Sequence, residues 1–209
     1  MSLFSKIKAK LQNERNNRKA KFARSKLGDK DISIISQNCI GGIFSHDMQW
    51  QFRSPTVNLY IPAKDYMKFV QELERYLAAE LTLERVEQYP VGRLGDIEVH
   101  FVHYNSWQEA KAAWERRKAR VNWDRILILS TDRDGFDEQV FEQWKALPYP
   151  KLLFTANKKY SNHPDSLDFP QYEELGCVPD LIPKREFYKD DVLINKVNAI
   201  GGRFNDSVS

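Results

Sequence analysis

The sequence predicts an α/β fold: a mostly parallel sheet with flanking helices, carrying a basic helical arm at its N-terminus. Three observations support this. Residues 126–129 (Ile-Leu-Ile-Leu) and 152–154 (Leu-Leu-Phe) are continuous apolar runs, the pattern of strands covered on both faces. Residues 97–155 alternate strand-like and helix-like segments, which implies crossovers between parallel neighbours. Residues 1–27 hold nine Lys or Arg against one acid, Glu14.

A chain of 209 residues, 42% hydrophobic and 29% charged, can bury a core without covalent staples. We expect residues 28–209 to form a single α/β domain beside the arm of residues 1–27. Two cysteines, Cys39 and Cys177, exclude a disulfide framework. No apolar run approaches the length of a membrane span. The N-terminus lacks the apolar core of a secretory signal. The expectation is a cytoplasmic protein. The net charge of +3 divides into +8 for residues 1–27 and −5 for the remainder, so an anionic partner is expected for the arm.

The arm reads as a helix. Leu3, Ile7 and Leu11 recur at spacing four beside Phe4, and lysines fill the other faces. Such a helix suits the inner, anionic face of a membrane. The competing reading is a solvated helix that packs its stripe on the body or on a second copy. Nucleic acid is not expected as a partner. Gly28-Asp29-Lys30-Asp31 then punctuates the chain.

Residues 32–37 make a short apolar strand running into a loop, Asn38-Cys39-Ile40-Gly41-Gly42. Val57–Ile61 reads as a second strand. Tyr66, Phe69, Val70, Leu73, Tyr76 and Leu77 predict a helix over 63–81. Tyr89-Pro90-Val91-Gly92 reads as a connector and 97–103 as a strand. Ser106 and Glu109 form a capping box that opens a helix over 107–120. Residues 125–130 form the most buried strand. Thr131 or Asp134 could start the helix that carries Val140, Phe141 and Trp144, and Pro148 and Pro150 end it. Lys151–Thr155 is another apolar strand. Residues 157–188 show little periodicity. A last helix over 190–200 would be capped by Asp190 or Asp191 and stopped by Gly201-Gly202.

Ligands of a parallel sheet bind beyond the carboxyl ends of its strands. The loop Asn38, Cys39, Gly41 and Gly42 is one such place, because paired glycines let backbone approach a ligand and turn N–H groups to an anion. A turn that merely needs glycine geometry is the alternative. Cys39 would be a nucleophile if its thiol pKa were lowered, and otherwise a small buried hydrophobe. His46 and Arg53 follow the loop and are candidates to hold anionic groups.

The second place is Asp132-Arg133-Asp134, directly after the strand 125–130. Many nucleotide-sugar transferases end an apolar strand in Asp-x-Asp to present oxygen ligands. A Mg or Mn ion there would bridge a diphosphate. Arg133 could hold phosphate bidentately. The alternative is a helix cap and a turn. His100 and His103 are three apart and so point to opposite faces of one strand. His103, at the strand's carboxyl end, is the candidate general base. His163 has no visible partner in the sequence, and Trp107, Trp114 and Trp123 read as core anchors. The catalytic candidates are therefore His103, Asp132 and Asp134. Asn38, Cys39, Gly41, Gly42, His46, Arg53 and Arg133 are the binding candidates, and no residue is assigned as a resident metal ligand.

Six segments stand in order along the chain: residues 33–42, Ser54-Pro55-Thr56-Val57-Asn58-Leu59-Tyr60-Ile61, Tyr89-Pro90-Val91-Gly92, residues 96–104, Arg120-Val121-Asn122-Trp123-Asp124 and Thr131-Asp132-Arg133-Asp134-Gly135. Together they resemble a bacterial family of domains of unknown function, often labelled exopolysaccharide-biosynthesis proteins. The likeness runs over residues 30–190. It implies an α/β fold and a setting in capsule or exopolysaccharide synthesis, and brings no catalytic residues with it. The expected function is a transferase or sugar-modifying enzyme with an activated, phosphate-bearing donor such as a nucleotide sugar. A non-catalytic binding or assembly factor of the same pathway is the alternative.

Overall fold

The computed structural model of the chain describes residues 3–28 and 31–201. The Asp29-Lys30 pair, Gly202 and the side chain of Leu3, all named above, lie outside what is described. In chain order the elements begin with α1 (Leu3–Lys26), β1 (Ser33–Ser36), α2 (Ile40–Asp47), α3 (Ala63–Gln71), α4 (Leu73–Ala78), β2 (Leu81–Val86), β3 (Pro90–Leu94) and β4 (Ile97–His100). They continue with α5 (Trp107–Lys118), β5 (Ile126–Thr131), α6 (Glu138–Lys145), β6 (Lys151–Thr155), α7 (Lys158–Ser161) and β7 (Ser166–Asp168). Two 3-10 turns, Pro170–Leu175 and Glu186–Asp191, precede α8 (Val192–Gly201).

Among the described residues the strands form two sheets. One is parallel throughout, in the order β1-β5-β6-β7, and the other is antiparallel, β2-β3-β4. The fold is α/β, as the apolar runs predict. Side chains alternate across the parallel sheet. Ile126, Ile128 and Leu153 face a core built with α3, α5, α6 and the antiparallel sheet. Leu127, Leu129, Leu152 and Phe154 face a second core shared with α1, α2 and α8. Both faces are covered, which is why these strands read as unbroken apolar runs.

Several expectations are corrected. The strand at 97–103 is shorter and belongs to the antiparallel sheet, so β5 has β1 and β6 as its parallel neighbours. Partly exposed Glu98 between buried Ile97 and Val99 is the alternation of a sheet covered on one face. The expected connector 89–92 contributes to β3, and the helix over 63–81 stops early. It breaks at Glu72 (φ −125°, ψ 46°), resumes as α4, and gives way to β2. Strand β2 buries little, and cross-strand ion pairs Arg93–Glu84 and Arg85–Glu98 hold it instead. Val57–Ile61 is no strand: Asn58 has φ 63°, and a single bridge joins Tyr60 to His100. Asn38–Gly42 is not a loop either, since Gly41 and Gly42 lie within α2. Helix α6 is capped by Asp137, whose Oδ1 accepts from Val140 N at 2.9 Å, and not by Thr131 or Asp134.

Helix α1 is built into the body along its second half. Ala20 and Ala23 are buried. Asn16 and Lys19 donate to the carbonyls of Pro183 and Lys184, and Lys26 pairs with Asp191 at 2.5 Å. Among the described residues no helix is long and apolar enough to cross a membrane.

Candidate functional site

The carboxyl ends of β1 and β5 are fastened together by Gln37, which is 1% exposed. Its backbone N–H donates to Leu129 O at 3.0 Å, and its Oε1 accepts from Thr131 N at 2.9 Å. Just beyond, Asn38 Oδ1 accepts from Ile40 N at 3.1 Å at the start of α2, and Nδ2 donates to Thr131 Oγ1 at 3.3 Å. Sequence and sheet pairing thus hold residue 38 beside residue 131.

After β5 the chain turns sharply. Asp134 takes φ 58° and Gly135 φ 89°, and the Asp134 carbonyl accepts from Ala63 N at 3.0 Å. Asp and Asn tolerate this left-handed region better than other non-glycine residues. Asn58 does the same, at φ 63°. Non-glycine residues in this region are a known mark of functional sites.

These turns frame an open cavity of about 590 Å³. Asn38, Cys39 and Ile43 line it, together with Asn58 and Tyr60. His103, Arg133, Asp134, Asp180 and Ile182 complete the lining. Five of the sequence-predicted residues therefore meet here: Asn38, Cys39, His103, Arg133 and Asp134. Among the described residues, neither the Arg133 guanidinium nor the carboxylates of Asp134 and Asp180 take part in an ion pair. Asp180 Oδ1 accepts only a local hydrogen bond from Ile182 N, at 3.0 Å. One cation and two carboxylates are thus free for a ligand.

Two titrating groups are tuned away from ionisation. Burial, reinforced by the charge of Asp180, pushes the Cys39 thiol up to about 11. Its Sγ lies 3.6 Å from Leu59 O. Cys39 is a protonated wall residue at neutral pH, and the nucleophile reading of it is withdrawn. Burial, with a hydrogen bond that the phenol donates to Tyr89 and the charge of Asp134, pushes the Tyr60 phenol up to about 12. Tyr60 stacks on His100 with ring centroids 4.5 Å apart, which fixes its plane.

The other predicted residues lie elsewhere. Asp132 is 5% exposed and faces the interior. Its Oδ2 accepts from Thr155 Oγ1 and Ala156 N, and its Oδ1 from Val178 N, all at 2.8 Å. It is a buried tie between β5, the end of β6 and the segment at 178, and it is removed from the catalytic set. Gly41 and Gly42 do not line the cavity. A Cβ on Gly41 would lie 2.8 Å from Ser36 Cβ, and one on Gly42 would lie 3.0 Å from Val57 Cγ1. These glycines serve the close packing of α2 on β1 and on the 57 segment. His46 is exposed in the last turn of α2, and Arg53 pairs with Asp31 at 2.9 Å. Neither reaches the cavity.

A model of the family described as "Domain of unknown function (DUF1919)" matches residues 10–200. The chain belongs to the DUF1919 family. The match runs from Lys10 in α1 to Ile200 in α8, so the cavity lies wholly within the family domain. A protein of Haemophilus influenzae, carrying the name "Uncharacterized protein", is 34% identical over 182 residues, which cover 87% of this chain and 88% of the relative.

Sequence reasoning missed Ile43, Asn58, Tyr60, Asp180 and Ile182. A signal existed for two of them. Asn58 is a turn-prone residue inside an apolar run, and Pro179-Asp180 is a turn pair. Their convergence with residues 38 and 133 is a property of the tertiary fold.

Proposed function

We propose that this protein is a group transferase or sugar-modifying enzyme of bacterial exopolysaccharide or capsule synthesis, taking a phosphate-bearing sugar donor into the 590 Å³ cavity. The observation that carries the reading is the unpaired Arg133 guanidinium set among hydroxyl-binding groups beyond two parallel strands. Arg133 would grip a phosphate in bidentate fashion. Asn38, Asn58, Asp134 and Asp180 would bind sugar hydroxyls, and His103 would take the proton from an attacking hydroxyl. One cation does not neutralise a diphosphate. Among the described residues no three His, Cys, Asp or Glu side chains group to hold a metal. A Mg or Mn ion accompanying a nucleotide sugar would therefore find Asp134 and Asp180 here, with the donor's phosphates completing its shell.

The test is a thermal-shift screen of nucleotide sugars and sugar phosphates, with and without Mg²⁺ or Mn²⁺, on the wild type and Arg133→Ala. A ligand of the folded state raises the melting temperature by mass action. The expected result is a shift for at least one donor that Arg133→Ala loses. No shift with any donor, or an equal shift in the variant, overturns the reading. The second reading, a non-catalytic binding or assembly factor, is favoured by the inward turn of Asp132, which takes one of the three catalytic candidates out of the cavity. Donor binding without turnover, and unchanged in His103→Ala, would establish it.

We infer further that α1 touches an anionic membrane surface at the cytoplasmic face. Phe4 is 78% exposed and Ile7 and Leu11 are each 51% exposed, among Lys6, Lys8 and Lys10. Salt-sensitive co-sedimentation with anionic vesicles, lost in Phe4→Ser/Ile7→Ser/Leu11→Ser, is the expected behaviour. Equal sedimentation of both forms overturns it. Because Ala20 and Ala23 belong to the core, the test uses this surface variant and not removal of the helix.

A further inference from the structure

Helix α1 packs in an inverted way. At 3.6 residues per turn, Phe4, Ile7, Leu11 and Phe22 fall within about 60° of one another, and all four are at least half exposed. The opposite side carries Ala20 and Ala23, which are buried against the body. The helix hides its small residues and presents its large apolar ones, the reverse of an ordinary surface helix.

Phe4, Ile7 and Leu11 cluster near the start of the helix, and beyond Arg15 and Arg18 on the same face Phe22 borders a second cavity. Phe22 stands at the edge of an open space of about 450 Å³ between α1, the segment 169–172 and the chain from 186 to 194. Phe169, Tyr172, Tyr188 and Ile194 give it an apolar wall. Lys19 and Lys189 also border it. Lys19 Nζ donates to Lys184 O at 2.8 Å, and Lys189 Nζ donates to the carbonyl of Asp168. Lys19 Nζ also donates to Arg185 O at 3.4 Å, and since an ammonium has three donors each lysine keeps at least one for a ligand. The bordering acids are already engaged: Glu186 accepts from the Tyr172 hydroxyl at 2.6 Å, and Asp191 pairs with Lys26. Burial lowers the Lys19 pKa from its ordinary value, which an incoming anion would reverse.

We propose that this cavity holds the hydrocarbon chain of a phosphate-bearing lipid, with the phosphate at Lys19 and Lys189. The occupant follows from two features together: the apolar wall includes Phe22, on the same face of α1 as the exposed Phe4, Ile7 and Leu11, and the bordering cations match an anionic head. The proposal rests on the reading of α1 as a membrane contact and names what that contact would extract or anchor.

The experiment uses the full chain and monomeric alkyl phosphates of eight, ten and twelve carbons, below their micelle concentrations. Inorganic phosphate and a decyl glycoside serve as comparison ligands. Alkyl phosphates should raise the melting temperature, and affinity should rise about two- to fourfold per added methylene. Inorganic phosphate and the glycoside should have little effect. Phe22→Asp, at an exposed position, and Gln171→Trp, which fills the cavity from an exposed position, should each lose the response. Phe4→Ser/Ile7→Ser/Leu11→Ser should keep the alkyl phosphate response while losing vesicle binding, so failure at the membrane and failure at the cavity are read separately. An equal response to inorganic phosphate or to the glycoside overturns the proposal, as does an alkyl phosphate response unchanged in both cavity variants.

Discussion

Thr155 Oγ1 donates a 2.8 Å hydrogen bond to the carboxylate of Asp132, across the carboxyl ends of two neighbouring parallel strands. That bond turns Asp132 away from the cavity that Asp134, two residues later, helps to line. The two acids of one Asp-x-Asp therefore have different work, and mutation separates them.

Asp132→Ala leaves the Thr155 hydroxyl and the N–H groups of Ala156 and Val178 without their acceptor. The expected loss is about 3 kcal/mol or more, a fall of roughly 6–12 °C in melting temperature for a chain of this size. Asp132→Asn keeps one acceptor oxygen and should fall between the variant and the wild type. Calorimetry on the three proteins decides it; a melting temperature unchanged in Asp132→Ala refutes the tie.

Asp134→Gly should act in the opposite direction. Position 134 sits at φ 58°, where glycine relieves strain, so stability should rise by up to about 1 kcal/mol. Donor binding should weaken because the free carboxylate is gone. Urea melts together with ligand-induced thermal shifts measure the two effects side by side. Lower stability together with unchanged donor binding would contradict both.

Gly41→Ala tests whether that glycine packs or binds. The added methyl would meet Ser36 Cβ at 2.8 Å and Ile34 Cγ2 at 2.9 Å, so overpacking should cost about 1–3 kcal/mol. In protein that remains folded, donor affinity should change little. A loss of affinity with no loss of stability would restore the ligand-cradling role to the glycine pair.

Cys39 should make stability fall at alkaline pH. Its folded thiol is pushed up to about 11 from an ordinary value of 9.0. The folded state holds the proton more tightly than the unfolded state. The contribution is therefore complete below pH 9 and is lost as pH rises from 9 towards 11. Cys39→Ser should flatten the stability profile in that window. Partly exposed Cys177 should alkylate with iodoacetamide before buried Cys39 at pH 8, read by mass spectrometry.

The legible parts of this chain are those whose pattern has a local cause. Ile126–Leu129 announces a doubly covered strand because both faces of β5 are buried, and the Ser106 cap is visible because a side chain and an N–H three residues apart satisfy each other. Helix α1 shows its length and its apolar spacing. The cavity was half legible: residues that directly follow β1 and β5, such as Asn38, Arg133 and Asp134, stand where a parallel sheet puts its ligand loops. Asp132 and Asp134 read as a pair because an Asp-x-Asp directly after an apolar strand can present oxygen ligands together, and alternate residues of an extended chain do share a face.

The tertiary structure decided the rest. The left-handed turn at Asp134 breaks that alternation, and the inward pull of Thr155, Ala156 and Val178 completes the separation. Gly41 and Gly42 read as a loop because glycine is ambiguous in isolation; only the proximity of Ser36 and Val57 shows that they permit a helix to lie close. Asn58 and Asp180 enter the cavity from segments far apart in the sequence, and no local pattern encodes that meeting. The sequence by itself determined the fold class, the buried strands and the basic helix, because burial and capping leave periodic marks. Which acid faces a ligand, and which side of α1 faces the body, depend on contacts between distant segments, and those leave no mark on local periodicity.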